Sequence, residues 1–351
     1  FRVSPNVAGL SGNTVGGTIA DSINVTGFGT NQQVIGIATN FASTVTGNTV
    51  QNLTTNSGSG TAANASAIGI LTNNAAVNQT VSNNVIRNIR NSRTVGTNVV
   101  TGIQFTGSTS NTVERNHISK LLNDSNGTSA EVNGIRVGGG TTAYRNNMIA
   151  VGDGVPNAIG TGASTGGIGG INETAGTNTF FHNSAYIGGT PTAGNGASYA
   201  FKSTQVTVAR SVRNNIFVNA RSNSGASGTN YAVRVGGTTP NPAGLTINNN
   251  VYASVGTGAV FGYFNNANVA NIAAWQSAVG QDAASIEGDP GFVAPTAATP
   301  DLHLSTSLVS IAQDVGADVG VAIDFDNQLR PSGGGFDIGA DEALAPSAAA
   351  V

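Results

Sequence analysis

The chain has 351 residues, of which only 9% are charged and 6% are aromatic, and its formal net charge is −3. This balance provides no basic surface of the kind that binds nucleic acid. The chain contains no cysteine, which excludes a disulfide scaffold and cysteine-based metal sites. No apolar stretch reaches the length of a membrane span, so we expect neither a nucleic-acid partner nor a membrane span.

Two patterns repeat along the chain. A small residue followed by an apolar one recurs inside strand-like runs at steps of 30 to 36 residues, the small residues being Gly36, Gly69, Gly102, Gly134, Gly170, Ala200, Ala232 and Gly262. An apolar residue followed three positions later by asparagine recurs out of phase with the first pattern, at Asn48, Asn84, Asn116, Asn147, Asn183, Asn215 and Asn250. Because both patterns share a period of about 32 residues, they indicate structural repeats.

Each repeat contains short alternating runs separated by glycine, asparagine, serine and threonine, which is typical of strands and turns. We therefore predict an all-β fold, a right-handed parallel β-helix (solenoid) of about eight coils with a C-terminal cap containing a short helix. The glycines of the first pattern should occupy equivalent positions in consecutive coils. The asparagines should stack at one corner and hydrogen-bond along the axis. By the same register, Glu114 and Arg145 should be exposed neighbours on successive coils.

Particular segments carry a resemblance to known proteins. The runs Asn111–Ile118 and Arg213–Ile216 resemble repeats of the pectate-lyase-like superfamily, over roughly residues 10–265. The tail resembles the end segment of large bacterial secreted and surface β-helix proteins, in the segments Trp275–Ser285, Asp289–Phe292, Asp301–Leu304, Asp324–Pro331 and Asp337–Glu342. The resemblance implies a β-helix that is secreted or displayed on a bacterial cell surface.

We predict three parts: coils over residues 1–267, a capping segment over 268–343 and a tail or linker over 344–351. An open solenoid end exposes apolar interior and unpaired strand edges, so a helix over Asn268–Val279 should cover it with Trp275 as a plug. The amino end shows no comparable cap, because residues 1–30 already read as strand and turn. We expect that end to meet a preceding domain or a partner, which includes self-association.

One column of the predicted sheet concentrates polar side chains. Two residues after the small residue of five successive repeats come Gln104, Arg136, Asn172, Lys202 and Arg234. We expect these side chains to form an exposed polar ladder along the axis. Arginine recognises carboxylate and sulfate groups, so the ladder suits an extended acidic polysaccharide. The alternative is an ordinary solvated strand face.

The tail concentrates five carboxylates, those of Asp324, Asp326, Asp337, Asp341 and Glu342. Such a cluster suits a calcium ion, although the spacing is not that of an EF-hand loop. The alternative pairs Arg330 with Asp337 or Asp341 inside the cap. The three histidines, His117, His182 and His303, are expected to be structural or exposed, because their positions suggest no metal trio. We predict no other cofactor.

Known β-helix hydrolases and lyases use clustered acids that the repeat region lacks, since no two carboxylates share a column in neighbouring coils. We therefore favour a non-catalytic extracellular or cell-surface module, either adhesive and structural or glycan-binding. The main alternative is a lyase-like enzyme that acts on an acidic glycan, with Lys202 or an arginine of the polar ladder as the base. A groove flanked by the loops Val151–Gly167 and Gly188–Ser198 would favour the enzyme, and a flat ladder the module. The weakest alternative is a filament subunit that assembles head to tail.

Overall fold

The computed structural model describes residues 9–26, 32–39, 44–58, 65–73, 78–107, 110–162, 166–307 and 309–343. The strands of its amino-terminal half are β1 Gly9–Ser11, β2 Thr14–Val15, β3 Ile23–Val25, β4 Val34–Thr39, β5 Thr44–Thr46, β6 Thr49–Thr55, β7 Ala67–Thr72, β8 Thr80–Ser82, β9 Val85–Asn91, β10 Val99–Phe105, β11 Ser110–Glu114, β12 His117–Asn123, β13 Glu131–Arg145, β14 Met148–Val151, β15 Asn157–Gly162 and β16 Gly167–Phe181. The remaining elements are β17 Ser184–Ile187, β18 Ala193–Gly196, β19 Ser198–Ser203, β20 Arg210–Arg213, β21 Ile216–Asn219, β22 Asn230–Arg234, β23 Leu245–Asn248, β24 Val251–Ser254, β25 Ala259–Phe264, β26 Ala267–Val269, α1 Ile272–Val279, β27 Ile286–Glu287, β28 Phe292–Ala294 and β29 Asp301–Leu304. The predicted tail, residues 344–351, lies outside the described residues.

The strands form a parallel β-solenoid of about eight coils, which confirms the predicted fold class. A first face stacks β4, β7, β10, β13, β16, β19, β22 and β25. A second face stacks β1, β5, β8, β11, the ends of β13 and β16, then β20 and β23. A third face belongs to a separate sheet that runs from β2 and β3 through β6, β9, β12, β14, β17, β21 and β24 to β27. Among the described residues, no helix has the length and apolar character to cross a bilayer.

The predicted glycine column is confirmed, and the core explains it. Ile37, Ile70 and Ile103 pair in register along the first face, which places the preceding glycines in equivalent positions. A Cβ atom built on Gly36 would lie 2.2 Å from a methyl carbon of Val50, which projects from the third face. Such a distance is sterically impossible, so the interior requires a small residue where side chains from the opposite face arrive.

The predicted asparagine ladder is also confirmed. Each side-chain amide nitrogen donates to the Oδ1 atom of the asparagine in the next coil, over 2.8–3.0 Å from Asn48 to Asn250. The structure adds Asn13 as an earlier member, which donates to Asn48 over 2.9 Å. The side chains from Asn48 to Asn250 are buried at the turn between the second and third faces, so the ladder satisfies polar groups that water cannot reach.

The residue before each ladder asparagine has left-handed backbone geometry, with φ between 53° and 66°. Glycine or asparagine, which tolerate this conformation, occupy most of these positions. Arg115 and His182 are the exceptions, at φ values of 53°. Both lie beside the C-terminal segment: Arg115 donates to Asn327, and His182 contacts Asn214, whose amide donates to Ala317.

The end of the solenoid is closed by a hairpin and a short helix. β26 pairs antiparallel with β25 and so covers the last edge of the first face. Helix α1 begins after Asn271, whose side chain caps the Ala274 amide over 2.9 Å, and ends at Gly280 in the left-handed region. Trp275 is completely buried, as predicted, although the helix begins later than the predicted Asn268.

The rest of the C-terminal segment packs along the third face, where the sequence had indicated only an end cap. It contributes Leu302, Leu304, Ala312, Ile338 and Ala340 to one apolar cluster. The coils contribute outward-facing side chains to the same cluster, among them Met148, Tyr186, Ile216, Val218 and Val251. This lateral packing explains why the coils carry apolar residues on their outer side, because the C-terminal segment shields these residues from solvent.

Two predicted details of register and exposure are wrong. In the last coil Val233 pairs with Gly262 and Arg234 with Tyr263, so Gly262 lies one position away from the glycine column. The indole of Trp275 fills the space above Gly262, where a Cβ atom would lie 2.9 Å from the ring. Glu114 and Arg145 do pair in register at 2.6 Å, but Glu114 is buried and not exposed.

Candidate functional site

The structure places the five residues of the predicted ladder in one column of the first face. Strand pairing aligns them in successive coils, in the order Gln104, Arg136, Asn172, Lys202 and Arg234. Tyr263 occupies the next position of the column. Neighbouring inward residues such as Ile103 and Phe201 belong to the core, so the column faces away from the interior. We call the five residues from Gln104 to Arg234 the cation column.

The expectation that the cation column is exposed is wrong. Arg136 is 8% exposed and Lys202 is 7% exposed, and Gln104 and Asn172 are buried as well. Arg234 is half-buried. Long cationic side chains can bury their stems and keep the charged group in water, so the column is less exposed than expected while its charges still reach solvent.

Arg136 and Lys202 are largely buried and have no directly bonded carboxylate among the described residues, although the Glu131 carboxylate acts on both from a distance. Within the described part of the chain, neither side chain forms a hydrogen bond or an ion pair, and the Nε atom of Arg136 is a buried donor with no acceptor. The terminal nitrogens of both side chains nevertheless retain contact with solvent. Buried cations in proteins are usually paired, whereas these two keep part of their hydration at the terminal nitrogens. The column therefore presents positive charge to solvent without an ion pair to a described carboxylate.

Tyrosines surround the carboxyl-terminal half of the cation column. The ammonium of Lys202 lies 5.2 Å from the ring centroid of Tyr199, and the guanidinium of Arg234 lies 5.0 Å from that of Tyr263. Tyr199 stacks on Tyr231 in the adjacent outward column, at 5.2 Å between centroids. The rings favour the positive charges by cation–π attraction but supply no counter-ion.

The electrostatics of the column follow from this environment. Burial lowers the pKa of Lys202 to about 8, Arg234 adds to the effect, and the Glu131 carboxylate opposes it. Burial likewise lowers the pKa of Arg136, while the nearby Glu131 carboxylate opposes the shift. Glu131 itself accepts a hydrogen bond from Asn133 over 3.0 Å. An anion bound between the cations would reverse these shifts, because it would favour the charged forms.

Asn172 lies between the two unpaired cations in the column. Its amide nitrogen donates to Asn133 over 2.8 Å, which fixes the orientation of the side chain. Its Oδ1 atom is buried and has no donor among the described residues. Asn172 is thus a buried polar residue between the two cations, held by Asn133.

The loops that flank the first face stack on one another. Their segments β15 and β18 pair as a small parallel sheet. Arg221 holds them in place, because its buried guanidinium donates to the carbonyls of Gly152, Gly188, Val155 and Asn157 over 2.7–3.0 Å. These loops lie on the chain between third-face and first-face strands, so they build up the corner beside the cation column.

The five tail carboxylates serve several separate contacts. Asp324 accepts from the amides of Asp326, Gln328 and Glu342 over 2.8–3.0 Å. Asp337 accepts from the amides of Asp314 and Ala343, each over 2.7 Å. Glu342 accepts from Ser332, and Asp341 accepts from Leu304. Calcium at this set stays a prediction, and four of the five carboxylates already accept backbone N–H groups.

The predicted pairing of Arg330 is wrong. Arg330 pairs with Glu342 at 2.6 Å, and both side chains are fully buried. Its guanidinium also donates to the carbonyls of Asp337 and Gly339. Asp337 and Asp341 instead accept backbone amide hydrogens, as Asp341 does from Leu304 over 2.8 Å.

The histidines occupy different environments. His182 is buried beside Asn214, and burial holds its pKa well below the ordinary value. His117 contacts the carbonyl of Pro300 at 3.0 Å, and burial lowers its pKa too. His303 meets Asp326 and Asp341, which the sequence did not indicate because the three are distant along the chain.

The tyrosines of the site were not predicted from the sequence. A tyrosine stands three residues before Lys202 and before Arg234, at positions 199 and 231. This recurring spacing was a usable signal, because both tyrosines pair in register and lie in a cluster separate from the core.

No protein-family model, no curated protein and no solved structure matches this chain. The resemblance of its repeats and tail to known β-helix proteins is thus supported only at the level of the parallel β-solenoid fold.

Proposed function

We propose that the protein is a secreted or cell-surface module that binds an extended anionic glycan along the first face. The observation that carries the proposal is the pair Arg136 and Lys202, two largely buried cations that form no ion pair with a carboxylate of the described residues. Carboxylate or sulfate groups of a glycan would supply the missing counter-charge.

The geometry of a solenoid favours a polymer over a small anion. Coils stack at the strand spacing of about 4.8 Å, so Arg136 and Lys202, two coils apart, are separated by roughly 10 Å along the axis. Arg234 lies one coil further, beside Tyr263. Tyrosine rings offer apolar faces against which a sugar ring packs. An extended acidic chain parallel to the axis would meet these groups in succession.

The proposal is tested by binding to a panel of immobilised polysaccharides that are carboxylated, sulfated or neutral. We expect saturable binding to one or both acidic classes, weakening as salt is raised because the contacts are partly electrostatic. The Arg136→Met variant should bind less, whereas Arg90→Met, which removes a cation from the third face, should bind as the parent does. Equal binding to neutral polysaccharide, or no binding to any, would contradict the proposal.

The pKa of Lys202 favours a second candidate function, a lyase acting on the same class of glycan. A pKa of about 8 leaves a fraction of neutral amine near neutral pH, and that amine can accept a proton. Abstraction of the proton next to a uronate carboxylate forms a carbon–carbon double bond and breaks the glycosidic carbon–oxygen bond. The departing oxygen takes a proton from solvent, and Arg136 or Arg234 would neutralise the carboxylate.

Lyase activity is tested by absorbance near 235 nm, where an unsaturated uronate absorbs. If the protein is a lyase, absorbance near 235 nm should increase with the wild type and should not increase with the Lys202→Met variant. A wild-type protein that binds acidic glycan without any rise in absorbance excludes the lyase and leaves the binding module.

A further inference from the structure

A second group of side chains meets in the C-terminal segment, away from the cation column. His303 comes from β29, Asp326 from the turn after Asp324, and Asp341 from the last described stretch. Each offers one ligand atom, and these atoms lie within 4.8 Å of one another. The Nε2 atom of His303 lies 2.7 Å from Oδ2 of Asp326.

The buried member of the group is the informative one. Asp341 is 5% exposed, and among the described residues its carboxylate receives a single hydrogen bond, from the Leu304 amide to Oδ2. Its Oδ1 atom is left without a protein donor. This oxygen is not one of the fully buried polar atoms without a partner, so it keeps contact with solvent and is available to coordinate a cation.

The other ring nitrogen of His303 is held as in a metal-binding histidine. Nδ1 contacts Oδ1 of Asp301, so the ring is oriented with Nε2 toward the two carboxylates. Metal-ligating histidines characteristically donate their second N–H group to a carboxylate in this way. Nε2 also contacts a carboxylate, that of Asp326, so a metal that binds at Nε2 would displace the proton held there.

We propose that His303, Asp326 and Asp341 bind a divalent ion of borderline softness such as Zn²⁺. One imidazole and two carboxylates form a ligand set typical of zinc, whereas calcium prefers oxygen ligands alone and more of them. Zinc–ligand distances of about 2.0–2.2 Å place tetrahedral ligand atoms roughly 3.3–3.6 Å apart. The three ligand atoms lie within 4.8 Å of one another, so side-chain adjustments would suffice, with Nε2 of His303 moving slightly away from Asp326. The ion would fasten three stretches of the C-terminal segment to one another.

The experiment measures zinc binding to chelator-treated full-length protein by calorimetry, together with the melting temperature. We expect one site per chain and a higher melting temperature with zinc, since an ion that binds only the folded state stabilises it. Asp326→Asn should weaken zinc binding at least tenfold, and Asp301→Asn by about 10–100-fold, as for other outer-shell partners. Asp326 suits the test because its side chain is 44% exposed, so the fold should tolerate the change.

The matched control is Asp318→Asn, which alters an exposed aspartate of the same segment that caps Gly320. It should leave zinc affinity unchanged. Equal zinc affinity in the wild type and Asp326→Asn, absence of saturable binding, or displacement of zinc by equimolar calcium would each overturn the proposal. These outcomes are independent of glycan binding, because the group lies on the C-terminal segment and not on the first face.

Discussion

Trp275 donates a hydrogen bond from its indole nitrogen to Asp282 over 2.8 Å. The same buried carboxylate accepts from the hydroxyl of Tyr252 over 2.7 Å and contacts the amide of Asn250 at 3.4 Å. Asn250 is the last member of the asparagine ladder. One carboxylate therefore joins the ladder, the aromatic core and the capping helix, which makes this contact the point where the solenoid is closed.

Replacing the plug should destabilise the protein strongly. We expect Trp275→Ala to lower the free energy of unfolding by about 3–5 kcal/mol, because it removes a fully buried ring and leaves Asp282 without one donor. Chemical denaturation followed by circular dichroism measures the change. Val309→Ala, at a side chain that is 75% exposed, is the control and should stay within about 0.5 kcal/mol of the wild type. An equally small effect of Trp275→Ala would show that the helix does not cover the core.

The middle of the asparagine ladder should be equally sensitive. Asn147 donates to Asn183 and to the carbonyl of Val113, and its Oδ1 atom accepts from Asn116. Asn147→Ala leaves these buried groups unsatisfied, so we expect a loss of about 2–4 kcal/mol in the free energy of unfolding. Asn126→Ala removes an exposed asparagine from a loop and should have little effect. Similar losses in the two variants would argue against a structural ladder.

Much of the solenoid was predictable from single positions. The coil period shows in the glycines because a Cβ atom at Gly36 or Gly69 would meet side chains from the opposite face. It shows in the asparagines because each amide serves as donor and acceptor for its neighbours. Both constraints act on every coil, so they leave a repeated trace in the sequence.

Features that arise from packing between distant segments left no such trace. The burial of Arg136 and Lys202 depends on what surrounds the first face, which strand periodicity does not report. The lateral packing of the C-terminal segment depends on apolar residues that face outward from the coils, such as Ile216. In the sequence these residues look the same as apolar residues that face the core. The meeting of His303 with Asp341 is likewise a product of chain folding.

The buried charge of Lys202 should lower the free energy of unfolding of the wild type, as expected if this lysine serves binding and not stability. Its pKa is lowered to about 8, so the folded state disfavours its charge, and the wild type should gain stability as pH rises from about 8 toward the ordinary lysine value. At pH 7 we expect Lys202→Met to raise the free energy of unfolding by about 1–2 kcal/mol. Lys120→Met, at a lysine paired with Asp153 on the third face, should change it by less than about 1 kcal/mol. A marked destabilisation by Lys202→Met would assign the lysine a structural role.

Binding of an acidic glycan should depend on pH through the same lysine. Affinity should be constant below about pH 8 and should fall roughly tenfold as the pH rises through the pKa of Lys202, because the ammonium loses its charge. The glycan carboxylates remain ionised over this range, so they contribute no change. Calorimetry at pH values from about 6 to about 10, at intervals of about one pH unit, measures this dependence of affinity on pH. The profile of Lys202→Met should be flat over the same range, and a parallel fall in that variant would place the titrating group elsewhere.

The most direct measurement compares the affinity of two doubly substituted proteins for an acidic oligosaccharide. Arg136→Met with Lys202→Met removes both unpaired cations, while Arg90→Met with Lys120→Met removes the same charge from the third face. We expect calorimetry to show a loss of about 100-fold or more in the first protein and wild-type affinity in the second. Equal affinities in the two proteins would contradict the assignment of the cation column as the glycan-binding site.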